Sequence, residues 1–143
     1  MKTRWMKFFG IVALTAIAIG LSSCEIQIDT WDDADYNEFS REQTRKLCSR
    51  TWVESWTQDG KFYSQWLDFY ENRTGREIMQ VEYRNGRIEQ DTYYFDWSWD
   101  NKSQTCIRMV YGPGDVSILE DLWMGGNTLG GWLDGVEVHF TGQ

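Results

Sequence analysis

The chain has 143 residues, enough for one domain, with 41% hydrophobic and 16% aromatic side chains and only one proline. That composition excludes a disordered chain and a collagen-like or proline-rich filament. A formal charge of −8, from 14 bases and 22 acids, argues against nucleic acid as a partner, because phosphate backbones need a basic footprint.

Residues 1–23 read as an export signal. Lys2, Arg4 and Lys7 make a basic start, Phe8 to Leu21 is an almost unbroken apolar run, and Leu21-Ser22-Ser23-Cys24 follows. As a helix, the run would extend about 21 Å at ~1.5 Å per residue, short of a ~30 Å hydrocarbon core. A cleaved secretory signal is therefore the expectation, rather than a permanent span. Leu-Ser-Ser-Cys resembles the bacterial lipobox, and the resemblance implies that the Cys24 thiol is diacylated and becomes the first mature residue. Several acyl chains hold a protein firmly on a membrane where one does not. Removal of three bases leaves a mature charge of 11 − 22 = −11.

Residues 24–40 form the expected tether. Glu25 to Ser40 carries six acids and no base, so self-repulsion keeps it extended and holds the folded part off an anionic surface. Acids just after a lipidated cysteine also resemble the surface-export signal of some Gram-negative lipoproteins. Asp33 to Asn37 starts like a calcium loop, but Glu38 stands where that loop needs glycine and Thr44 where it needs glutamate.

Ser40-Arg41-Glu42-Gln43 has the form of a capping box and predicts a short helix from about Ser40 to Cys48. From residue 51 the period changes to two. Strands are expected near 51–57, 62–70, 77–84, 88–99, 104–111, 116–124, 128–133 and 136–140, separated by turn signals that include Asp59-Gly60, Asn85-Gly86 and Asp134-Gly135. Asn85-Gly86 predicts a type I′ hairpin, since both residues tolerate positive φ. About eight strands joined by short turns predict an all-β fold. An antiparallel up-and-down barrel over 41–143 is favoured because closure removes exposed edges.

The motifs resemble those of lipocalin-like lipoproteins of Gram-negative gut bacteria. Leu47 and Trp52 lie near the family's first element, and Phe69-Tyr70-Glu71-Asn72-Arg73-Thr74-Gly75 matches its Phe-x-x-(acid/Asn)-x-Thr-Gly turn. Tyr94 to Trp97 with Cys106 to Met109 resembles the middle hairpin, and Asp134 to Phe140 the closing strand. The pattern departs at Arg50, where the family's first motif has glycine. The resemblance implies a barrel able to hold a small apolar ligand.

Two cysteines remain after Cys24, and in an exported chain Cys48 and Cys106 invite a disulfide. It would close a 58-residue loop (106 − 48), worth about 4 kcal/mol in a chain-entropy account; two free thiols are the alternative. Alternation with Arg108 and Val110 points Cys106 outward. No catalytic chain is legible: His139 is the only histidine and alternates with Val138 and Phe140 as a solvent-facing residue does. No metal or cofactor is expected, because zinc would need several His or Cys ligands. Glu54, between Trp52 and Trp56, and Asp68, between Trp66 and Tyr70, leave a glycosidase-type carboxylate pair open.

The aromatic excess is the most informative feature. Most rings would fill a small barrel, yet their number suits a pocket for a small apolar or amphipathic molecule. Trp56, Trp66, Tyr83, Trp97 and Met109 are the expected lining. The expectation is thus a non-catalytic, monomeric lipoprotein of the cell envelope, anchored in the outer membrane and open to surface display. Two alternatives stand beside it. One is an interaction or inhibitor module that meets a basic partner through its acidity; the other is a glycan-binding surface protein using exposed Trp and Tyr.

Overall fold

The computed structural model describes residues 33–143, with residues 33–36 described by backbone alone. Cys24, the expected signal sequence and most of the expected tether lie outside the described residues. One helix, α1 (Asp33–Cys48), precedes eight strands: β1 (Trp52–Gln58), β2 (Lys61–Phe69), β3 (Thr74–Glu82), β4 (Ile88–Trp99), β5 (Ile107–Gly112), β6 (Asp115–Gly125), β7 (Thr128–Leu133) and β8 (Val136–Gly142). Each strand pairs antiparallel with the next and β8 returns to β1, giving a closed up-and-down barrel. The helix starts seven residues before the capping box at Ser40 (40 − 33), so the acidic run is helical from Asp33 onward rather than extended. Acids at a helix start meet the positive end of its dipole, a local gain that outweighs their self-repulsion.

Turn chemistry sets the register. Asp59 and Gly60 (φ 50° and 71°) and Asp134 and Gly135 (φ 49° and 82°) both have the positive φ pair of type I′ turns. Asn85-Gly86 does not: Gly86 alone has positive φ (82°). Its N–H donates to the Tyr83 carbonyl at 2.8 Å, and Tyr83 N–H donates to the Arg87 carbonyl at 2.9 Å. This is a type I turn over Arg84-Asn85 closed by a glycine bulge, with Asn85 Oδ1 accepting from Arg87 N–H at 3.0 Å.

The barrel is sealed and filled at one end. Trp52, Leu67, Phe69, Phe95, Trp97, Ile107, Met109, Leu119, Leu122, Leu129, Val138 and Phe140 form one buried cluster with Leu47 of α1. Phe69 packs edge-to-face on Phe95 and Trp97, with centroids at 5.5 and 5.7 Å, and Trp97 packs on Trp99 at 5.8 Å. Each such side chain contributes about 1.5–3 kcal/mol by leaving water.

The helix lies across this end and is pinned by indole and amide donors. Trp52 Nε1 donates to the Leu47 carbonyl (2.9 Å), Trp99 Nε1 to Thr44 Oγ1 (3.0 Å) and Gln104 Nε2 to Ser40 Oγ (2.7 Å). The β1–β8 seam is short: Trp52 and Val53 pair with Gly142 and Thr141, and Thr51 exchanges both backbone hydrogen bonds with Gln143.

Two cysteine expectations are overturned. Cys48 is a free thiol, so it is not bridged to Cys106. Cys106 is also fully buried rather than outward-facing. Strand alternation starts only at Ile107, and the loop before it folds inward, with Asp100 N–H donating to the Cys106 carbonyl at 2.8 Å.

Candidate functional site

The ladder of β1 to β4 runs past the filled core. β4 pairs with β5 only over Asp96–Trp99, yet it pairs with β3 as far as Ile88. Likewise β1 meets β8 only at Trp52 and Val53 but pairs with β2 as far as Gln58. The four strands thus carry an inner face beyond the point where β5 and β8 leave them. Residues opposite one another across a ladder point to the same side, so the rows of this face can be read directly. Glu54, Gln65, Met79 and Asp91 form one row, and Trp56, Tyr63, Val81 and Glu89 the next.

The chemistry of this face is mixed. Trp56 stacks on Tyr63 with centroids 5.4 Å apart and planes 9° from parallel. Met79 and Val81 are buried although they lie outside the main cluster. Glu77 is buried and accepts a hydrogen bond from Gln65 Nε2 at 2.7 Å. Where β1 and β8 part, Glu54 Oε1 accepts from His139 N–H at 3.4 Å, bridging the opening seam. At the outer rim Tyr83 is clamped. Lys61 Nζ and the Arg87 guanidinium lie 5.2 and 4.2 Å from its ring, and its hydroxyl donates to Glu89 at 2.8 Å.

Of the five lining residues expected from sequence, Trp56 and Tyr83 sit on this inner face. Trp97 and Met109 lie in the filled end instead, 3% and 0% exposed. Trp66 pairs with Val53 and Ile78 on the outer side, because an odd residue separation from Trp56's partner Tyr63 turns it over. Sequence reading missed Tyr63, Met79 and Val81. The two-residue Asp59-Gly60 turn held the signal, since it forces the pairing of Trp56 with Tyr63.

The two carboxylates considered for acid–base chemistry face opposite ways. Glu54 points inward, whereas Asp68 lies on the outer side. There it receives Arg76 Nε and Nη2 (2.9 and 2.7 Å) and Thr51 Oγ1 (2.6 Å). The paired carboxylate holds the Arg76 guanidinium pKa above its ordinary value, mainly through those hydrogen bonds. Asp68 is thus a structural ion-pair partner. His139 is exposed beside Glu137 at 3.2 Å, as expected.

The outer wall carries its own aromatic features. Exposed Tyr70 and Tyr94 flank a groove of about 510 Å³ that also includes Thr74 and Asp96. On the other side Trp123 and Trp132, both exposed, rise from β6 and β7, and Trp123 covers Gly130. A bulge at Asp121 (φ 48°) shifts the β6 register and turns Leu122 into the core and Trp123 out. The chain matches no protein-family model, no curated protein and no solved structure.

Proposed function

We propose that this protein is a lipoprotein of the bacterial cell envelope, anchored in the outer membrane through Cys24, whose barrel holds a small amphipathic molecule without chemical change. The observation that carries the binding reading is the inner face of β1–β4 beyond the filled core, where Trp56, Tyr63, Met79 and Val81 lie beside Glu54, Glu77 and Asp91. An apolar floor with a few polar groups is the usual composition of a small-molecule site. The resemblance to lipocalin-like lipoproteins supports the same reading. The basic start, apolar run and Leu-Ser-Ser-Cys support the anchor. Asp33 at the start of α1 lies nine positions after Cys24 (33 − 24), a reach of up to about 30 Å when extended.

Native mass spectrometry of the detergent-extracted protein tests the binding. A co-purifying mass that disappears in Trp56→Ala is expected; the absence of both an adduct and saturable uptake of a fluorescent amphiphile would overturn the binding reading. Intact-mass measurement of the membrane-extracted protein tests the anchor. A chain that begins at Cys24 and carries the added mass of acyl groups is expected. An unacylated chain, or one that still carries residues 1–23, would overturn the anchor reading.

A second reading is favoured by the outer wall. The groove between Tyr70 and Tyr94 and the exposed Trp123 and Trp132 suit sugar rings stacked on aromatic faces. Retention on immobilised glycans, lost in Tyr94→Ala, would support it over the first.

A further inference from the structure

The end of the barrel closed by α1 carries a second cavity, of about 330 Å³, lined by Ser40, Arg41, Thr44, Arg45, Glu71 and Arg73. Three guanidinium groups meet there in a chain with 22 acids and 14 bases. Among the described residues none of the three makes an ion pair. Arg41 and Arg45 stand four apart on α1, a spacing at which like charges share a face and repel. Arg73 enters from the β2–β3 turn in a left-handed conformation (φ 70°). It is held there by Trp97 N–H donating to its carbonyl at 2.8 Å and by stacking 4.5 Å over the Trp97 ring. An acid-rich protein that leaves three arginines around one cavity without carboxylate partners has placed unmet positive charge there.

The two hydroxyls add to it. Ser40 Oγ accepts from the Gln104 amide, and Thr44 Oγ1 accepts from the Trp99 indole. Those nitrogens can only donate, so each hydroxyl keeps its own hydrogen to give to another acceptor. The cavity is therefore lined by donors and positive charge, with Glu71 the one carboxylate among its lining residues. Arginine forks matched to several acceptor oxygens are the usual receptor for a phosphoryl group.

We infer that this cavity is a binding site for a phosphoryl oxyanion. It lies at the α1 end of the barrel, its first lining residue Ser40 sixteen positions after Cys24 (40 − 24), so under the anchor reading a phospholipid headgroup is one source and a free phosphate is the other. The site itself stands on its geometry alone and is separate from the amphiphile face.

Calorimetric titration of the full chain in non-ionic detergent, with inorganic phosphate and with glycerophosphoglycerol (the deacylated diester headgroup), tests it. Saturable phosphate binding is expected. Arg41→Gln/Arg45→Gln, at two exposed helix positions, should weaken it by roughly tenfold or more, with an unchanged melting temperature. Glu71→Gln should tighten it severalfold, an effect that general destabilisation cannot produce. Binding of both probes supports the headgroup as source, and binding of inorganic phosphate alone supports the site with a free anion. No saturable phosphate binding, or equal affinity in the double arginine variant, would overturn the proposal. A failed anchor with intact phosphate binding would leave it standing.

Discussion

Truncation at the two ends of the barrel should separate stability from binding. Met109 is fully buried in the filled end, among Trp97, Ile107 and Phe140. Met109→Ala removes three heavy atoms from a site closed on every side by strands and α1, so the surroundings collapse only in part. Buried methionine truncations cost about 2–5 kcal/mol; the tight aromatic packing here places this one near 3 kcal/mol. The described domain spans 111 residues (143 − 32), for which each kcal/mol moves the melting temperature by roughly 3–5 °C, so a loss of about 10–15 °C is expected. Trp56 is only half-buried and makes its stacking contact on the extended inner face; Trp56→Ala should cost about 1–2 kcal/mol, mainly the lost stacking and partial burial. Thermal melts by near-ultraviolet circular dichroism, beside titration of a fluorescent amphiphile, read both quantities. Met109→Ala should melt early and bind normally below its transition; Trp56→Ala should melt near the parent and lose affinity by tenfold or more. A Met109→Ala variant that loses binding while keeping its melting temperature would place the ligand in the end described as filled, and would refute the division of the barrel.

Other perturbations follow from the same contacts. A Cβ at Gly131 would lie 2.7 Å from the Glu120 carbonyl oxygen and 3.3 Å from Leu122 Cα, backbone atoms that cannot swing away; Gly131→Ala should cost about 2–3 kcal/mol in urea unfolding. At neighbouring Gly130 the Cβ would meet only the exposed Trp123 ring, so Gly130→Ala should cost less than about 1 kcal/mol, and equal costs would contradict the packing. Asp68→Asn removes the charge that receives Arg76 twice and Thr51 once; with Arg76 side chain 41% exposed, a loss of about 2 kcal/mol is expected by urea unfolding. Burial, with Glu71 adding and Arg73 opposing, pushes the Cys48 thiol up from 9.0 to about 11. Its alkylation near neutral pH should be about 100-fold slower than that of the unfolded chain. The folded state holds this proton while the unfolded state loses it, so the contribution to stability is complete below pH 9.0 and lost between there and about 11. Alkylation at the unfolded rate would show the thiol to be unshielded.

Much of this architecture is written into the local sequence. Alternation, turn residues and the absence of a long crossover determined an eight-strand up-and-down barrel with a helix before it, since period and turn chemistry act over a few residues and need no distant partner. Even the facing of Trp56 and Tyr63, and the outward turn of Trp66, follow from the two-residue Asp59-Gly60 turn, because one fixed pairing propagates along a hairpin. Tertiary structure alone decided where the filled end stops. Trp97 and Met109 become core, and Trp56 lines the inner face beyond it, according to how far β5 and β8 accompany β4 and β1, a matter of shear and closure between strands distant in sequence. It also decided that Cys48 and Cys106 are not partners, and that Arg41, Arg45 and Arg73 share one cavity. Those residues lie up to 58 positions apart (106 − 48), and a distance between side chains exists only after closure has brought the helix across the barrel's end.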